Sequence, residues 1–172
     1  QRSNMLPLID DKTLLSTIMQ EASFVKTEDC HQELVHRLQC FQNQTCTPTT
    51  CSQVMTLLAN AGHPKGAMMW FNKIRDHGVP LTTCMCDCAS MACIKMKDWH
   101  AWEELLNMTP FIERVSLPTL RVGIDACCKI GNSEMAVLVL DKMIERQMGT
   151  DLVVVTNVLM ACKNNGDWWR SV

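Results

Sequence analysis

The chain has 172 residues, 16 Lys and Arg against 18 Asp and Glu, a net charge of -2, and 47% apolar against 20% charged residues. That profile fits one folded domain and excludes a disordered tail, which would be richer in charge and poorer in apolar residues. The slightly acidic balance excludes an evident basic nucleic-acid surface, and no window of about 20 residues is apolar enough to span a membrane.

In chain order, residues 11–21 and 29–41 read as helices. Asp10, Asp11, Glu28 and Asp29 place acid at their starts, where the helix macrodipole favours it. Residues 1–47 are expected to form an N-terminal helical region, and are a candidate for a degenerate helix pair. Residues 42–50, rich in Gln, Asn, Thr and Cys around Pro48, read as a loop.

From there a repeat sets the organisation, and a repeat is best sought before individual elements. The dipeptides Ala92-Cys93, Ala126-Cys127 and Ala161-Cys162 begin 34 and 35 residues apart. Each is followed by a turn sequence: Lys97-Asp98-Trp99, Gly131-Asn132 and Gly166-Asp167-Trp168. A second anchor set, Ala67, Ala101 and Ala136 with Ile74, Met108 and Met143, keeps intervals of 34 and 35 residues. Comparing the two sets puts a one-residue shortfall between Cys93 and Ala101, in the turn between helices.

Each unit reads as two helices. The first unit has helices over 51–60 and 65–76 around a Gly62-His63-Pro64 turn. In the third unit Ser116 is the expected N-cap and Pro118 sits in the first turn, where its missing N–H does no harm. Helix 119–129 then stops at Gly131-Asn132. Helix 134–146 follows, with Asp141, Lys142, Glu145 and Arg146 on its wet side. The β-branched run Leu152-Val153-Val154-Val155 favours a strand locally, but its phase in the repeat predicts entry into a helix.

These segments resemble the pentatricopeptide repeat. Ile124-Asp125-Ala126-Cys127-Cys128-Lys129-Ile130-Gly131 is similar to the first-helix signature of that family. Ala136 to Met143 is similar to its second helix. Ala61-Gly62, Ala67, Trp70-Phe71, Ile74 and Gly78-Val79-Pro80 match across a whole unit. The Ala-Cys pair before the turn, and the missing Trp, Gly and Tyr pattern, argue against the tetratricopeptide alternative. The likeness divides the chain into repeats over 48–82, 83–116 and 117–151 and a partial repeat over 152–172.

The resemblance implies an all-α fold, an α-solenoid superhelix of stacked antiparallel helix pairs. It also implies an organellar location, mitochondrion or chloroplast, and single-stranded RNA as the ligand, one base per repeat. The RNA-reading candidates carried over by it are Ser52 with Thr82, Asp87 with Ser116, Arg121 with Asp151, and Thr156 alone. Arg121 and Asp151 are equally suited to an ion pair. The alternative is a protein scaffold, an accessory subunit of a large organellar complex such as a ribosome or an energy-converting assembly. No catalytic residues, cofactor, metal or small-molecule substrate are expected. A solenoid needs polar capping units and neither end supplies one. The sequence is therefore expected to be a piece of a longer chain, or to have its ends covered by partners.

The 11 Cys are expected to be small buried hydrophobes in a reducing compartment. Cys84 and Cys88 share a helix face while Cys86 points away, a spacing poorly matched to a zinc site. Cys30, His31, His36, Cys40, Cys46 and Cys51 form a looser cluster. Trp99 and Trp168 start equivalent second helices and are expected to pack between units rather than to stack on bases.

Overall fold

The computed structural model describes residues 47–166. Helices 11–21 and 29–41, most of the Cys/His cluster and Trp168 lie outside the described residues. The described regular structure is entirely helical. The chain divides into two compact units, Gln1–Pro80 and Leu81–Val172.

In the first unit, α1 (Pro48–Asn60) packs on α2 (Pro64–Asp76). The helix begins inside the stretch expected to be a loop. Thr47 is its N-cap, with Oγ1 accepting from the Thr50 N–H at 3.3 Å, and Pro48 lies in the first turn. The polar composition of 42–50 concealed a Thr-Pro start signal, because cap residues and loop residues share the same chemistry. Cys51, Val54, Met55 and Leu58 of α1 are buried, as are Ala67, Trp70, Phe71 and Ile74 of α2.

The second unit holds α3 (Thr83–Met96), α4 (Trp99–Leu106), α5 (Thr109–Ile112), α6 (Leu117–Ile130), α7 (Ser133–Glu145) and α8 (Leu152–Asn165). The run Leu152-Val153-Val154-Val155 does enter a helix. α3 packs on α6 and α6 on α8, so the first helices form one layer; α4 packs on α7 in a second layer. This is the helix-pair stacking of an α-solenoid, in which a hairpin buries its apolar face only against its neighbours.

Each first helix ends in the same way. Lys97, Gly131 and Gly166 adopt left-handed φ values of 57°, 74° and 79°. The following amides of Asp98 and Asn132 then reach back to the Cys93 and Cys127 carbonyls at 3.0 Å. That closure satisfies a terminal carbonyl and places Asp98 and Asn132 as N-caps of the next helix.

The structure moves the one-residue shortfall. Ser116 follows Lys97 by 19 residues, whereas Thr82 follows Gly62 and Asp151 follows Gly131 by 20. The turn is therefore of normal length, and the missing residue falls in the second helix. There α4 stops after 8 residues and α5 takes over, whereas α2 and α7 each run for 13. Counted from the N-caps His63, Asp98 and Asn132, the residues equivalent to Ala67 and Ala136 are not Ala101 but Trp102. All three are fully buried, and Ala101 is only half-buried. Matching Ala to Ala obscured a large-for-small exchange. α6 compensates for it: a Cβ at Gly123 would overlap the Trp102 indole. Trp102 is thus the Trp that packs between repeats, and Trp99 meets it edge-on at a centroid distance of 6.1 Å.

Candidate nucleic-acid interface

The RNA-reading candidates fall at two structural positions. Thr82, Ser116 and Asp151 are the N-cap residues of α3, α6 and α8. Ser52, Asp87, Arg121 and Thr156 lie five residues beyond the caps Thr47, Thr82, Ser116 and Asp151, one turn into each first helix. A cap followed by an outward residue at fixed offset needs no special fold, only a helix that starts in the same phase in every repeat.

The caps hold backbone donors that the first turn would otherwise leave unpaired. Thr82 Oγ1 accepts from the Met85 N–H at 3.3 Å, and Asp151 Oδ1 from the Val154 N–H at 3.0 Å. Ser116 caps by its backbone conformation without a side-chain bond to the helix amides; its hydroxyl donates to Thr119 Oγ1 at 3.2 Å.

Two of the candidate pairs meet. Asp87 Oδ1 accepts from the Ser116 N–H at 2.8 Å, a bond from one first helix to the N-cap of the next. Arg121 Nη2 lies 2.8 Å from Asp151 Oδ2, with both side chains under half exposed. Ser52 and Thr82 belong to different compact units. The Ser52 hydroxyl donates to the Pro48 carbonyl at 2.9 Å, and the Thr156 hydroxyl to the Leu152 carbonyl at 2.7 Å. Thr156 is exposed.

The surroundings of these residues are close to neutral. On α6, Lys129 pairs with Asp125 at 2.6 Å, and that hydrogen bond holds the Lys129 ammonium above its ordinary pKa. Val122, Val153 and Met160 are exposed on α6 and α8, and Leu152 is 81% exposed. On the other layer, an open groove beside Asn107 is lined by Glu134, Asp141 and Glu145 together with Lys142. It offers phosphate little attraction.

Sequence reasoning missed one residue that joins repeats. Arg146, expected on the wet side of α7, donates from Nη1 to the Val115 carbonyl and from Nη2 to the Glu113 carbonyl, both at 2.9 Å. It ties the end of the interrupted second helix to the following repeat. Those carbonyls lie in the connection between α5 and α6, distant in sequence from Arg146, so no signal in the sequence around Arg146 announces the contact.

The phased cysteines are packing residues. Cys93, Cys127 and Cys162 are buried. Burial pushes the Cys93 and Cys127 thiols up to about 12, with the nearby Asp98 and Cys128 charges adding to the effect. The Cys86 thiol is pushed up to about 12 by the same desolvation, with Asp87 adding to it. Cys84 is exposed and Cys88 half-buried. Among the described residues no cluster of His, Cys, Asp or Glu is placed to hold a metal ion, and no helix is long and apolar enough to cross a membrane.

The class of protein is therefore that of helical repeats stacked through their first helices. The family model of the PPR repeat matches residues 49–79 and 124–148. These two segments are similar to the pentatricopeptide repeat. The first match covers most of α1 and α2, and the second the end of α6 with α7. The interrupted pair α4–α5 lies between them. Curated proteins give no match to the chain.

Proposed function

We propose that this chain is a non-catalytic pentatricopeptide protein of a mitochondrion or chloroplast that binds single-stranded RNA along its first-helix layer. The observation that carries the reading is the repeated phase of α3, α6 and α8. Each offers an outward residue at the same offset from its cap, on helices stacked side by side in a family whose modules address successive bases. Three such helices contact few bases, so the segment adds modestly to affinity, at roughly 1–3 kcal/mol for each stacked base.

The test is fluorescence anisotropy of the 172-residue chain with a single-stranded oligoribonucleotide, its duplex and the corresponding DNA. Preference for single-stranded RNA supports the reading, and equal binding of all three ligands sinks it. Organelle fractionation checks the location.

A second reading, a protein scaffold within a larger organellar assembly, draws on the exposed Val122, Leu152, Val153 and Met160 and on the paired cations of α6. Apolar groups beside neutralised charges suit a polypeptide better than a phosphate backbone. Co-purification with an assembly that survives nuclease treatment would favour it; release by nuclease alone would count against it.

A further inference from the structure

We propose that Asp87 and Arg121 are positioning residues that set the register of one repeat on the next, so that the second and third repeats contribute spacing to RNA binding and no base choice. The proposal deepens the RNA reading above and rests on it for its second half only.

Two successive repeats use the same position for the same geometric purpose with different chemistry. Asp87 reaches the backbone N–H of Ser116, the residue that starts α6. Arg121 reaches the side chain of Asp151, the residue that starts α8. In each case a side chain one turn into a first helix holds the first residue of the next first helix.

The Asp87 bond replaces a local one. In a capping box an acid on the same helix bonds the N-cap amide. At the start of α6 that acid comes from the preceding repeat, while the Ser116 hydroxyl is turned to Thr119. A donor freed at the helix start is thereby satisfied only when the two repeats are in register.

At the next junction, Asp151 has each carboxylate oxygen engaged. Oδ1 holds the Val154 N–H and Oδ2 holds the Arg121 guanidinium. A base edge seeking Asp151 must displace one of them. Displacing Arg121 leaves its charge beside α6 without its partner, and displacing Val154 uncaps α8. Either cost falls on every base alike, which removes discrimination.

The experiment compares urea unfolding with binding to a panel of oligoribonucleotides permuted one base at a time, using the full chain. For Asp87, the informative pair is Asp87→Ala and Asp87→Asn. Alanine should lower the unfolding midpoint and asparagine, whose carbonyl oxygen can still accept from Ser116, should restore most of it. For Arg121, the cycle is Arg121→Gln, Asp151→Asn and the double variant. Asparagine keeps the cap, so a coupling of about two- to fivefold in the unfolding constant isolates the pair.

Across Asp87→Asn and the Arg121–Asp151 cycle the ranking of bases should stay that of the parent chain. A changed ranking with an unchanged unfolding midpoint would overturn the proposal, because it would make these residues base readers. Zero coupling between Arg121 and Asp151 together with no loss for Asp87→Ala would overturn the register role. A parent chain that binds no RNA overturns the functional reading and leaves the unfolding data to decide the register role alone.

Discussion

Gly123 shows how much one absent side chain can hold in place. It is a weak helix residue, and by propensity it looks like a flaw in α6. Its role is steric: the Trp102 indole fills the space a Cβ would take. Gly123→Ala should destabilise the protein by about 1–3 kcal/mol, an overpacking cost, even though Ala is the better helix former. Urea or thermal unfolding checks this, and a smaller residue at 102, as in Trp102→Leu, should relieve part of the added strain in the double variant. The cysteines give a second test at this scale. Among the described cysteines, Cys84 should be alkylated first in the native state, with Cys93, Cys127 and Cys162 protected until unfolding, as mass spectrometry of timed samples would show.

The Cys93 and Cys127 thiols carry a pH dependence whose sign can be worked out. Their folded pKa of about 12 lies above the ordinary 9.0, so the folded state keeps its protons longer than the unfolded chain. Their stabilising contribution is complete below pH 9.0 and is lost as pH rises toward about 12. Cys93→Ala should flatten the alkaline fall of the unfolding midpoint relative to the parent.

At the scale of elements, the first helices were readable and the second helix of the middle repeat was not. N-caps such as Ser116, breakers such as Gly131 and first-turn prolines act through local geometry, so they mark boundaries in the sequence itself. The early stop of α4 has no such mark. The equivalence of Trp102 with Ala67 and Ala136 is a fact of helix phase, which residue identity contradicts. Arg146 is a second case: an apparent surface cation is a clamp on the Val115 and Glu113 carbonyls of the connection before α6. Arg146→Gln should cost about 1.5–3 kcal/mol, the worth of hydrogen bonds from a charged donor, and more than the same change at Arg75. Among the described residues Arg75 pairs with its neighbour Asp76 at 3.5 Å. Asp151→Ala should cost about 0.5–2 kcal/mol through the cap of α8, with further loss from the Arg121 pair.

On the scale of the whole molecule, the charge balance decides how RNA would be held. The net charge is -2, and on the first-helix layer Arg121 and Lys129 are already paired with Asp151 and Asp125, which limits what α6 offers a phosphate chain. The affinity for single-stranded RNA should therefore fall only slightly with salt, with a logarithmic slope of about 1 to 2, measured by anisotropy across a salt series. A steep slope would mean that the ion pairs open to meet phosphate. The candidate site was legible in the sequence only as a set of positions. The family resemblance pointed to Ser52, Asp87, Arg121 and Thr156, and it could not tell a side chain facing a ligand from one bonded to the next helix start.

By itself the sequence determined the all-α repeat, its period and the later helix boundaries such as Ser116 and Gly131, because these follow from caps, breakers and phased apolar residues that act over a few residues. Only the tertiary structure decided where the missing residue falls, which Trp enters the core, and that Asp87, Arg121 and Arg146 bridge neighbouring repeats. Those outcomes depend on the phase of one helix against another roughly 30 residues away, and no local pattern encodes that phase.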